Sequence, residues 1–130
     1  MTIPYLCIFV AFVLNLASKA PVAVAMARQP GGYDNHHPRD QQAGLAGWGR
    51  RALAAHLNGF EAFPPFAAAV LVAALAGADP TWTTRLSILF VAARALYIPL
   101  YVLDLATLRS AIWTVGFGAT IAIFVVALIA

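Results

Sequence analysis

The chain is 130 residues long, 62% hydrophobic and only 10% charged, with a formal net charge of +3. Soluble domains carry roughly 25% charged residues, so this composition argues against a water-soluble fold and for one polytopic membrane domain. No basic run is present to recruit nucleic acid, and the single cysteine, Cys7, excludes an internal disulfide or a cysteine-based metal site.

The first predicted span covers about Ile3 to Ala27, long enough to cross a hydrocarbon core that needs about 20 residues. Asn15, Ser18 and Lys19 interrupt its second half, and Pro21 predicts a kink by removing an amide donor. No cation precedes the apolar run, and the first, Lys19, follows it. That order favours a retained span over a cleaved signal peptide.

Gln29 to Gly49 is the one long polar stretch and reads as a surface loop, with Pro-Gly-Gly followed by Tyr33-Asp-Asn-His-His-Pro-Arg-Asp. His36 and His37 are adjacent, so regular backbone would point them apart. With only Asp34, Asp40 and His56 as further ligands, the loop is not expected to hold a metal.

The second span is expected over about Trp48 to Ala76, with Pro64-Pro65 kinking it below Glu61. Gly77 to Pro80 has the chemistry of a tight turn. The third span follows over about Thr81 to Leu105 and the fourth over about Arg109 to Ala130. Short connections predict antiparallel neighbours in an up-down four-helix bundle. Arg28, Arg39, Arg50, Arg51 and Arg109 flank the first and third loops, whereas the second loop offers only Arg85. The positive-inside rule then places the first and third loops in the cytoplasm and both termini outside.

The second span carries polar residues that cost about 2.5–3.5 kcal/mol each at membrane depth unless they are partnered. At about 100° per residue, Arg51, Asn58 and Glu61 share one helical face, with Ala54 between them, and His56 lies about 160° away. Arg94, Tyr97, Tyr101 and Asp104 form a similar stripe on the third span. The two stripes should face each other or a neighbouring subunit. Arg94 paired with Glu61 as structural glue is one reading. Surplus cationic and phenolic donors over carboxylates give the other, an anionic ligand.

Arg51-Ala-Leu-Ala-Ala-His-Leu-Asn58-Gly-Phe-Glu61 resembles the second-helix motif of the MAPEG family, the membrane-associated proteins of eicosanoid and glutathione metabolism. Arg94-Ala-Leu-Tyr97-Ile-Pro-Leu-Tyr101 resembles the family's third-helix motif, and Asp104 to Trp113, with Leu108-Arg109-Ser110, its lead into the fourth helix. The resemblance extends over essentially the whole chain. It implies an all-α membrane protein of four transmembrane helices, assembled as a homotrimer, with glutathione as co-substrate between adjacent subunits. It implies that Arg51, Asn58, Glu61, Arg94, Tyr97 and Tyr101 bind glutathione, and that Arg109 stabilises the thiolate. The spacing from Tyr101 to Arg109 is one residue longer than in a mammalian member. The family's second arginine in the second-helix motif is Ala54 here. His56 matches the motif but is expected to be structural, reaching another helix or a neighbouring protomer.

The function implied is a glutathione transferase or peroxidase acting on lipophilic electrophiles that arrive from the bilayer, in a bacterial inner membrane, without a metal. The alternatives are a non-catalytic membrane protein that binds lipid or thiol, and a purely structural trimer.

Overall fold

The computed structural model describes Met1–Ala130 as six helical segments and no strand: α1 Thr2–Ala17, α2 Lys19–Ala27, α3 Pro38–Ala43, α4 Gly47–Leu75, α5 Pro80–Val102 and α6 Ala106–Leu128. α1 and α2 together form one span, and α4, α5 and α6 are the other three, each long and apolar enough to cross a membrane. The chain is an integral membrane protein built as a four-helix bundle. Helices satisfy every backbone group internally, which a bilayer demands.

The first span breaks at Ser18. Pro21 has no amide hydrogen to give the carbonyl of Ala17, four residues back. Ser18 Oγ donates to the carbonyl of Asn15 at 2.6 Å, so a side chain replaces part of the missing ladder. α4 instead runs unbroken through Pro64 and Pro65.

α4 and α5 form the centre of the bundle. Both touch the first span and both touch α6, while α1 and α6 make no contact with each other. The cross-section is therefore a rhombus with α4 and α5 on its short diagonal. Its core is small-residue packing, with Ala11, Ala69, Ala73, Ala119 and Ala127 buried around one aromatic pair. Phe66 and Phe90 stack face to face, their ring centroids 3.8 Å apart. Small residues let helix backbones approach where lipid supplies no hydrophobic drive between helices. Gly59 is the extreme case: a Cβ there would run into the side chain of Asn15 on α1.

Two turns use the same capping geometry with different residues. After α4, Gly77 takes φ +69° and the amide of Ala78 donates to the carbonyl of Ala73. After α5, Asp104 takes φ +61°, Leu105 N–H donates to Leu100 and Asp104 N–H to Tyr101. Both are Schellman motifs, in which a left-handed residue closes the helix end. The third span thus ends at Val102, and Asp104 is a turn residue rather than a member of the helical stripe. Asp79 starts α5 by accepting from Trp82 N–H at 2.8 Å, with Pro80 in the first turn.

The polar loop is more structured than its composition predicts. It contains α3, and Gln42 and Leu45 are buried. Gln41 Nε2 donates to the carbonyls of Gly32 and Met26, and its Oε1 accepts from Asp34 N–H. One Asp34 carboxylate oxygen accepts the backbone N–H groups of both His36 and His37 at 2.9 Å. The bond from His37 chiefly, then that from His36, holds the Asp34 carboxyl below its ordinary pKa.

Candidate functional site

The stripes on α4 and α5 meet where Arg94 reaches Asn58, and one side-chain hydrogen bond joins them. Arg94 Nη1 donates to Asn58 Oδ1 at 3.0 Å, and Asn58 Nδ2 donates to Glu61 Oε2 at 2.9 Å. Arg94 and Glu61 are not a direct ion pair. Asn58 stands between them, accepting from the cation and donating to the anion. The second rung is Arg51 Nε, which donates to the carbonyl of Val102 at 3.0 Å. Val102 ends α5, where carbonyls lack an amide four residues on, so Arg51 caps that helix. The rungs sit seven residues apart on α4 and eight on α5, about 10.5 and 12 Å along antiparallel axes.

The α5 residues continue the site toward α6. Arg94 and Tyr97 are buried. The Arg94 guanidinium lies 4.3 Å from the centre of the Tyr97 ring. Tyr97 and Tyr101 meet edge to face with centroids 5.6 Å apart. The Arg109 guanidinium lies 4.4 Å from the centre of the Tyr101 ring. The order is cation, ring, ring, cation, running from the bundle interior to α6. Arg109 reaches Tyr101 because the Schellman turn lets α6 begin at Ala106, so that Arg109 is already helical.

The site is rich in unpaired positive charge. Within 4 Å the chain has one ion pair, His37 with Asp34 in the loop, and none at Arg51, Arg94 or Arg109. Two grooves flank Trp113 of α6. One, about 440 Å³, is lined by Tyr97, Tyr101, Arg109, Ser110, Trp113 and Thr114. The other, about 100 Å³, is lined by Asn58, Glu61, Ala62, Trp113 and Phe117. The seven predicted site residues therefore divide among four places. Tyr97, Tyr101 and Arg109 line the larger groove, and Asn58 and Glu61 line the smaller. Arg94 joins them from the interior through Asn58 and Tyr97, while Arg51 is directed to the end of α5.

Ser110, Trp113 and Thr114 also line the larger groove and are not among the predicted site residues. The available signal was Ser110 and Thr114 four residues apart on an apolar helix, a spacing that puts both on one face. Trp113 also stacks on Phe117 at 5.1 Å, which fixes the ring as the ridge between the grooves.

His56 lies outside this arrangement. Its Nδ1 is 2.7 Å from Ser18 Oγ at the break of the first span, and its ring packs edge-on against Phe60 at 5.2 Å. Ser18 commits its one hydroxyl proton to Asn15, so the bond is made with Nδ1–H of the imidazole as donor. The contact is to another helix of the same chain. Asn15 is the other polar residue that the motifs passed over. It is buried on α1, packed against Gly59 and close to Arg94.

The chain was compared with family models, curated proteins and solved structures. No curated protein and no solved structure matches it. A family model does, the MAPEG family, over residues 3–129. Given a match over nearly the whole of a chain that folds as a four-helix membrane bundle, the chain belongs to the MAPEG family.

Proposed function

We propose that the protein is a membrane-bound thiol transferase of the glutathione type, activating a thiol for attack on lipophilic electrophiles. The observation that carries this reading is Arg109. Its guanidinium lies against the face of Tyr101 at the wall of a groove of ligand size, with no carboxylate to neutralise it. A free thiol has a pKa near 8.5 and reacts as the thiolate. A neighbouring guanidinium favours that anion by direct attraction. The thiol proton leaves to solvent, sulfur forms a bond to the electrophilic carbon, and the leaving group departs with its electron pair.

Glutathione fits the donor set. Its two carboxylates find Arg94 and the terminal nitrogens of Arg51, whose Nε is already spent on Val102, which leaves Arg109 for the thiolate. Its ammonium finds Glu61, held by Asn58. Both grooves open on the side of the bundle. In our reading a second and a third copy of the chain close them, and the electrophile enters laterally from lipid. The protein sits in a bacterial inner membrane with the first and third loops cytoplasmic and both termini outside, the side that the cluster of Arg28, Arg39, Arg50, Arg51 and Arg109 favours.

Purified protein in detergent, given glutathione and chlorodinitrobenzene, should form the conjugate above the uncatalysed rate. Arg109→Ala should remove most of that rate while leaving the protein folded. Conjugation at the background rate with every thiol and aryl halide tried would reject a transferase.

One observation favours a second reading. Ala54 stands on the polar face of α4 where the family motif carries an arginine, so a ligand carboxylate has one donor fewer. A non-catalytic member that binds lipid or thiol would tolerate that loss. Binding of a labelled lipid, indifferent to glutathione and to Arg109→Ala, would establish that reading instead.

A further inference from the structure

The least explained polar atom in the molecule is on the first span. Asn15 is 6% exposed, and its Nδ2 is buried without a hydrogen-bond partner. A buried amide donor is costly to leave unmade, so each one calls for an explanation. The oxygen end of the same side chain is pressed against Gly59 of α4, at a distance that no residue with a Cβ would permit. The amide is therefore held in place rather than free to swing toward lipid.

Beside it lies a small internal space of about 10 Å³ where α1, α4 and α5 meet. Asn15, Ser18 and Arg94 supply its polar wall, and Phe63 and Phe90 are among its apolar ones. The chemistry of that wall is specific. Asn15 Nδ2 is a donor with no acceptor. Arg94 is a donor with one nitrogen committed to Asn58 and others uncommitted. Ser18 Oγ carries a lone pair beyond those engaged by its bonds to Asn15 and His56. Two donors and one acceptor around one small volume match a single water molecule, which accepts twice and donates twice. A site needs roughly 10–15 Å³ of such space to hold one. A chloride or a ligand carboxylate is too large for it.

We propose that this is an internal hydration site. One water accepts from Asn15 Nδ2, and it links the break in the first span to the guanidinium of Arg94. The first span thereby becomes a third support of the polar site, next to α5, which carries Arg94, and α4, which carries Asn58. None of this depends on which thiol or lipid the protein takes.

The test is a map of the purified full-length protein at a resolution that shows ordered solvent, paired with thermal unfolding of Asn15→Leu. The expected map has one solvent peak within hydrogen-bond distance of Asn15 Nδ2. Asn15→Leu, of similar volume, should lose that peak and melt below wild type. Two results would overturn the proposal. One is a map in which the amide is reversed and its oxygen accepts directly from Arg94 with no solvent peak. The other is an Asn15→Leu protein that melts at or above wild type, the behaviour of a buried amide replaced by an apolar group of its own shape. Should the leucine variant fail to fold, the wild-type map decides alone.

Discussion

Arg94 donates to Asn58 across the α4–α5 interface at 3.0 Å, and Asn58 passes the interaction to Glu61 at 2.9 Å. A neutral amide thus separates a buried cation from an exposed carboxylate. The arrangement keeps Arg94 hydrogen-bonded without neutralising it. A direct Arg94–Glu61 pair would have spent the charge that the proposed anionic ligand requires.

Asn58→Leu should therefore hurt more than Glu61→Gln. The first leaves a buried guanidinium nitrogen without an acceptor, a loss of about 1.5–3 kcal/mol. The second only weakens a bond to an exposed group, a loss of about 0.5–1.5 kcal/mol. Thermal unfolding of the two variants in one detergent checks the order. Equal losses would mean that Arg94 finds another partner.

His56 should prove structural. His56→Phe keeps the edge-on contact with Phe60 and removes the bond to Ser18. Stability should fall by about 1 kcal/mol, the net worth of one hydrogen bond, and thiol affinity should not change. Calorimetric titration of the variant with glutathione separates the two effects.

Asp104 occupies a left-handed position that glycine fills after α4. A non-glycine residue there costs about 1–2 kcal/mol, less for Asp and Asn, whose side chains bond locally. Asp104→Gly should be neutral or stabilising by up to about 1 kcal/mol, and Asp104→Val should be destabilising by about 1–2 kcal/mol. If valine were harmless, the turn would not have the conformation described. Because the turn both presents the Val102 carbonyl to Arg51 and starts α6 ahead of Arg109, the valine variant should also lower activity.

Ala54→Arg should restore the donor that the family motif carries. One charge-assisted hydrogen bond is worth about 1.5–3 kcal/mol, or about one to two decades in affinity. Titration with glutathione should show tighter binding in that range. Unchanged affinity would place Ala54 away from the ligand carboxylates.

The spans and the stripes are legible in the sequence because hydropathy and helical period are local properties. Arg51, Asn58 and Glu61 share a face by spacing alone, as do Arg94, Tyr97 and Tyr101. What each polar group touches is not local. Arg51 reaches the end of α5 because a Schellman turn stops that helix at Val102, whereas composition let the helix run on to Leu105. The same turn took Asp104 out of the stripe. Asn15 reads as a stray polar residue on an apolar helix until Gly59, 44 residues later, opens the space for it. His56 is similar: the period of α4 turns it away from Asn58, but only the break at Ser18 supplies its partner.

In the mechanism we propose, Arg109 stabilises a bound thiolate. The direct measurement is the ultraviolet thiolate absorbance that appears when glutathione is mixed at neutral pH with purified protein, compared between wild type and Arg109→Ala. The expected result is a rise for wild type, saturating with glutathione, and little or none for Arg109→Ala, whose unfolding temperature stays near wild type. No rise for wild type at saturating glutathione, or an equal rise for the variant, would contradict the assignment of Arg109.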